Sequence, residues 1–306
     1  MESNKFQWNF PFLQFTMENT TKKEEHNLSN HSISQLMTQY SLGAAYCIHN
    51  GVSCYPATEK ETGNRYIAKI YSYPSKQATT DAFLVCGAFP NLEKINAYYR
   101  EQVRELCKQV AILNGLSHLE HFSHITHYFT KPKSDIGYDV CILSPYRHTL
   151  AELFQKINLQ RDTVIELGLQ LCQGLLSCRE AGFMYIGLKP ENIFISPNGR
   201  FQIGDIGFIP LSAISYTALP FHYQTIYTPP ESHDIFQAMS DTTDVYSVGA
   251  ILYQAVCGGK RPSSLTKSPQ NADQPLTNII MQACDPTPTK RFRNPQELYD
   301  ALISVK

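Results

Sequence analysis

The hydrophobic period of this chain changes near Pro145, and that change restricts the folds open to it. From about Gln39 to Leu143, short β-like runs such as Tyr66–Ser72 and Asp139–Leu143 flank one long segment, Asn91–Leu116. Within that segment Ile95, Tyr98, Tyr99, Val103, Leu106, Val110 and Leu113 recur at the spacing of a single helical face. Gln77–Ala88 is expected to add a helical turn ended by Gly87 and Pro90. After Pro145 the spacing is mainly helical: Leu150–Lys156, Thr163–Ala181 with Gly182 as its cap, an apolar Thr243–Val256, and Asn294–Val305. Two β-like runs, Asn192–Ser196 and Phe201–Gly204, are separated by the turn signal Pro197-Asn198-Gly199. The pattern predicts an α+β fold in two lobes. Residues 1–38 are expected to form a flexible extension, 39–144 a small β-rich lobe with one long helix, and 145–306 a larger, mainly helical lobe.

Charge and cysteine usage exclude several function classes. Net charge is -1 over 306 residues, which leaves no basic field for nucleic acid or an anionic membrane. No run approaches the roughly 18 apolar residues of a membrane span, and the first residues carry no signal-peptide core. A cytoplasmic protein is expected. The nine cysteines are odd in number and include no C-x-x-C pair, so neither a disulfide framework nor a zinc site is predicted. They read as small buried hydrophobes. In the polar first 37 residues, Trp8, Phe10, Phe12 and Phe15 are expected to pack onto the domain.

The chemistry is carried by Leu188-Lys189-Pro190-Glu191-Asn192-Ile193-Phe194-Ile195, followed by Asp205-Ile206-Gly207. L-K-P-x-N and D-x-G at this separation resemble the catalytic and metal-binding loops of eukaryotic-like serine/threonine protein kinases, with the flavour of bacterial members, particularly those of Firmicutes. The resemblance covers roughly residues 40 to 306. It implies a bilobal kinase fold, with ATP and magnesium as cofactors. Lys69 matches the strand lysine on the α- and β-phosphates, Asp205 and Asn192 the magnesium ligands, and Lys189 the residue near the transferred phosphate. Pro229-Pro230-Glu231 and Asp285-Pro286 through Arg291-Phe292 resemble structural motifs of the family, which implies a buried pair between Glu231 and Arg291.

Several positions depart from the family pattern. Gly187 stands where the catalytic aspartate belongs, within Tyr185-Ile186-Gly187, and a glycine can neither orient a substrate hydroxyl nor accept its proton. Gln109 occupies the place of the helix glutamate that pairs with the strand lysine, with Glu105 one turn earlier as another partner for Lys69. The glycine-loop positions fall on Cys47, His49 and Val52, leaving Gly51 to let backbone approach phosphates. Ile67 replaces the small residue above adenine, and the hinge maps to Ser144-Pro145-Tyr146, where Tyr146 has a backbone N–H for adenine and Pro145 has none. The segment from Gly207 to Glu231 is unusually apolar and is expected to pack against the second lobe, or to form a partner surface.

The resulting expectation is a kinase-like protein without phosphoryl transfer, a pseudokinase that binds ATP and magnesium and acts through a protein partner. The alternatives are a serine/threonine kinase of weak activity and a nucleotide-independent binding platform.

Overall fold

A computed structural model describes residues 38–49, 51–216, 225–233, 239–269 and 272–306. Trp8, Phe10, Phe12 and Phe15, and Leu219, Phe221 and Tyr223 of the apolar segment, lie outside the described residues. The chain divides into two compact units. One comprises the described residues up to Lys108 with Ile125–Tyr146, the other Gln109–His124 with Arg147–Lys306. Gln109–His124, which lies within the stretch 39–144, thus groups with the second unit.

The first unit is built on an antiparallel sheet of β1 (Tyr40–Leu42), β2 (Cys47–His49), β3 (Val52–Glu59), β4 (Arg65–Tyr73), β5 (His127–Pro132) and β6 (Tyr138–Pro145). The order is β1-β3-β4-β6-β5, with β2 also paired to β3. Alternation along the strands puts Ala57, Ala68, Cys141 and Leu143 on one buried face with Tyr40, and Tyr66 and Ile70 pack against them. Helix α1 (Gln77–Val85) precedes the long helix α2 (Leu92–Leu116). All of the helical-face residues predicted for α2 are buried except Tyr98, which is 38% exposed. Its ring instead meets Phe83 and Phe89.

Polar contacts hold α2 to the sheet. The Asn96 side-chain oxygen accepts from the Gly137 N–H at 3.0 Å, and Arg100 Nε donates to the Tyr138 hydroxyl at 3.1 Å. Gly137 is required here: its φ is +96° and a Cβ would lie 1.9 Å from the Tyr73 carbonyl oxygen.

The second unit contains two small ladders. Strand β7 (Phe183–Tyr185) pairs with β10 (Phe208–Pro210), and β8 (Ile193–Ile195) with β9 (Phe201–Ile203). Its helices are α3 (Leu150–Phe154), α4 (Arg161–Glu180), α5 (Asp241–Val256), α6 (Gln274–Ala283) and α7 (Pro295–Ile303). The sequence marks their starts: side-chain oxygens of Thr149, Asp273 and Asn294 cap α3, α6 and α7 by accepting from the amide three residues on. Helix α5 is buried along nearly its whole length, as its apolar run predicts, and packs against α4, α6 and α7. The flanks of the apolar segment also pack, with Phe208, Ile209 and Tyr227 buried. Of the cysteines, Cys141, Cys172, Cys178 and Cys284 are buried as expected, whereas Cys47 and Cys86 are exposed.

The Glu231–Arg291 pair is present. Arg291 donates to both carboxylate oxygens at 2.6 and 2.9 Å, and to the carbonyls of Thr242, Asp285 and Pro286. The Arg291 side chain is 0% exposed and that of Glu231 6%. Removing one partner strands a buried charge, so Arg291→Ala is expected to lower unfolding stability by about 3–5 kcal/mol, read by denaturant titration.

Asp244 is also buried and receives Arg179 Nε at 3.1 Å, while Arg179 reaches Asp241 as well. Burial pushes the Asp244 pKa from its ordinary 3.8 up to about 7, Arg179 pulls it down, and Asp241 adds to the rise. A raised folded pKa contributes stability that is complete below about 3.8 and is lost as pH rises through about 7. Unfolding stability measured across that window is therefore expected to fall more in the wild type than in Asp244→Asn. Parallel pH profiles for the two proteins would contradict this.

Candidate active site

In the second unit, the L-K-P-x-N and D-x-G segments are joined by backbone. Lys189 precedes a 3-10 turn, Pro190–Asn192, and its carbonyl accepts from the Asn192 N–H at 2.9 Å. Proline at the first position of that turn supplies the φ it needs and has no amide to leave unpaired. The Asn192 carbonyl accepts from the Gly204 N–H at 2.9 Å, one residue before Asp205. Across the other side, the Ile186 N–H donates to the Gly207 carbonyl at 2.8 Å, extending the β7–β10 ladder in which Tyr185 faces Phe208. These bonds bring Gly187, Lys189, Asn192 and Asp205 into one connected group.

Asn192 is buried, and its side-chain nitrogen donates to the Gly187 carbonyl at 2.8 Å. With that nitrogen engaged, the amide oxygen is the atom it has for a ligand. Asp205 has φ +67°, and among the described residues it is the one non-glycine with a positive φ. A left-handed aspartate is uncommon, and such strain concentrates at functional sites.

Gly187 has little room for a side chain. A Cβ there would lie 3.0 Å from the Tyr185 hydroxyl, 3.2 Å from its ring carbon and 3.3 Å from the Asn192 side-chain nitrogen. Tyr185 is buried, its ring lies 5.2 Å from that of Phe208, and its hydroxyl donates to the Gly204 carbonyl at 2.5 Å. The sequence reading treated Tyr185 only as a departure from the family tripeptide. The available signal was a large aromatic two residues before a glycine.

Gln109, on α2, also has a role that its position alone did not reveal. Its side-chain oxygen accepts from the Phe208 N–H at 2.7 Å and the Gly207 N–H at 3.3 Å, and its nitrogen donates to the Phe208 carbonyl at 2.7 Å. The amide expected to face Lys69 thus pairs with the backbone after Asp205. The carboxylate of Glu105, the other partner considered for Lys69, is bound by Lys108 on an exposed helix face.

The remaining predicted residues belong to the first unit. Lys69 lies mid-strand on β4 opposite Cys54 and Ile142, with Nζ 5.3 Å from the Tyr71 ring centroid. Ile67 is on the same strand opposite Ser144. The Tyr146 N–H, assigned from sequence to adenine, donates instead to the Arg65 carbonyl at 2.8 Å, because β6 continues its pairing with β4 up to Pro145. Gly51 lies in the turn joining β2 to β3 with φ +77°, and a Cβ would lie 2.4 Å from that of Ser75. Close approach at Gly51 is thus used by the chain's own backbone, whose Ser72 N–H donates to the Gly51 carbonyl.

The donor set fits magnesium in kind. No cluster of three His, Cys, Asp or Glu able to hold a metal is found among the described residues. One carboxylate and one amide oxygen, Asp205 and Asn192, are hard ligands suited to an ion that keeps waters and phosphate oxygens as the rest of its shell. No helix among the described residues is long and apolar enough to cross a membrane.

Known proteins share sequence with this chain. The chain is similar to the probable serine/threonine-protein kinase CPE1738 of Clostridium perfringens, at 23% identity over 50% of this chain and 25% of that protein. It is similar to a Wee1-like protein kinase of Oryza sativa subsp. japonica, at 26% identity over 53% of this chain and 29% of that protein. The serine/threonine-protein kinase PknL of Mycobacterium tuberculosis is 28% identical over 43% of this chain and 36% of its own length. The matched stretches thus cover little more than a third of any of these relatives. The family model for the protein kinase domain matches residues 53–305, nearly the whole described chain, and the protein belongs to that family.

Proposed function

We propose that this protein is a pseudokinase: a cytoplasmic, kinase-like module that binds ATP with magnesium, lacks efficient phosphoryl transfer, and works through a protein partner. The observation that carries the reading is at Gly187, where no side chain can serve as general base and the Tyr185 hydroxyl stands 3.0 Å from where a Cβ would be. Loss of a general base typically removes a factor of roughly 10²–10⁴ in rate.

Asp205 and Asn192 would hold the magnesium ion, and Lys69 and Lys189 would neutralise phosphate charge. Magnesium supplies charge neutralisation and orientation of the phosphates when bound. The chain's own contribution is to hold these ligands at fixed positions. The Asn192 amide is oriented by its bond to the Gly187 carbonyl, and the Asp205 backbone is bracketed by bonded neighbours.

Two other readings each have observations in their favour. A serine/threonine kinase of weak activity is favoured by the retention of Lys189, Asn192 and Asp205 together, since phosphoryl transfer relies mainly on positioning and charge. A nucleotide-independent binding platform is favoured by Ile67 and by the use of the Tyr146 N–H within the sheet.

Thermal unfolding with millimolar ATP and magnesium separates the first two readings from the third. At a hundredfold excess over the dissociation constant, ligand stabilises by roughly 2.7 kcal/mol, an upward shift of several degrees. That shift is expected in the wild type and is expected to vanish in Asp205→Ala; an unshifted wild type would favour the platform. A radiolabelled transfer assay then separates the first two. Gly187→Asp is expected to cost about 1–3 kcal/mol of stability by crowding Tyr185 and to restore little transfer. A gain of two orders of magnitude in that variant would favour the weak kinase instead.

A further inference from the structure

Asp205 is held in a backbone conformation that a non-glycine residue keeps only where its surroundings over-determine it. The surroundings here are side chains bonded to backbone on both flanks. On the N-terminal flank, the Tyr185 hydroxyl donates to the Gly204 carbonyl at 2.5 Å. On the C-terminal flank, the Gln109 amide exchanges bonds with Phe208, accepting from its N–H and donating to its carbonyl at 2.7 Å each, and accepts from Gly207 at 3.3 Å. We infer that Gln109 and Tyr185 are positioning residues for Asp205, forming a neutral clamp that fixes the metal-ligand turn without an ion pair. The inference rests on the nucleotide and magnesium reading for its functional consequence, though the clamp itself does not.

The residue types match the task. The amide of Gln109 pairs with Phe208 as an added strand residue would, using one acceptor and one donor. A glutamate could accept from the two N–H groups but could not donate to the Phe208 carbonyl. Gln109 is therefore a distinct device rather than a weakened glutamate. At position 185 the hydroxyl is reached only at the length of a tyrosine, and it lies against the space that a side chain at 187 would enter. A side chain at 187 would therefore press on the Tyr185 hydroxyl, which would have to give by a few tenths of an ångström. Both sets of bonds link neutral groups, so the clamp is expected to hold across the pH and salt range in which the protein is folded.

The test uses the full chain and two readouts. The first is hydrogen exchange at Gly207 and Phe208 in nucleotide-free protein, for wild type, Gln109→Leu, Gln109→Glu and Tyr185→Phe. Loss of the hydrogen bonds in Gln109→Leu is expected to speed exchange at these amides about tenfold, with Gln109→Glu in between because its carboxylate still accepts. The second is ATP affinity with and without magnesium. Gln109→Leu and Tyr185→Phe are expected to weaken binding about tenfold with magnesium and to leave magnesium-free binding unchanged. General damage to the fold would weaken both equally, and that result would overturn the assignment. Wild-type exchange rates in a Gln109→Leu protein with an unaltered melting temperature would overturn it too. Should wild type bind no nucleotide, the functional reading fails while the exchange measurement still decides the clamp. Should Gln109→Leu fail to fold, Gln109→Glu and Tyr185→Phe carry both measurements.

Discussion

Arg291 brings a full charge into an interior that leaves its side chain 0% exposed, and its acceptors come from separate stretches of chain. Glu231 precedes α5, Thr242 lies in its first turn, and Asp285 and Pro286 follow α6. A desolvated guanidinium tolerates few arrangements, because every donor without an acceptor costs free energy that the interior cannot return. The segments around it are therefore held in one mutual placement. Helix α5 starts from that placement and packs along α4, which in turn leads into β7. The strand that ends at Tyr185 thus follows in chain order from a helix packed on α5.

Around Asp205 the forces differ in kind. Holding is done by a tyrosine hydroxyl, a glutamine amide and an asparagine amide, each bonded to main chain. Neutral bonds of this sort contribute modestly one at a time, but they are directional and insensitive to salt. A turn held this way has fewer means of being switched by charge.

Much of the fold was legible from local signals. The period of Asn91–Leu116, the apolar run of α5 and the Pro-Asn-Gly turn between β8 and β9 each found their element, because those segments are long enough or punctuated clearly enough for local preference to speak. The strands β3 and β5 were not read individually, and neither were the three-residue strands β1, β2, β7 and β10. Three residues carry no period, and the pairing of such strands is decided by partners distant in sequence: Tyr185 with Phe208, Tyr40 with Glu59. Tyr98 fitted the helical stripe by count yet lies 38% exposed, since Phe83 of α1 and Phe89 after it supply aromatic neighbours that the period could not anticipate.

For the candidate site, the resemblance of L-K-P-x-N, D-x-G and the later motifs to serine/threonine kinases implied that Gly187, Lys189, Asn192 and Asp205 form one set and that Glu231 and Arg291 are a buried pair. Those assignments follow motif order along the chain, so they could be carried over from the resemblance before any tertiary contact was known. Tertiary structure decided what the neighbouring groups do. It turned the Gln109 amide onto the backbone of Phe208, committed the Tyr146 N–H to Arg65, gave Gly51 a turn against Ser75, and placed the Tyr185 hydroxyl beside the empty position at 187. A hydrogen-bonding group takes whichever partner the folded chain brings within about 3 Å, and that distance is set by packing across many residues rather than by its sequence neighbours.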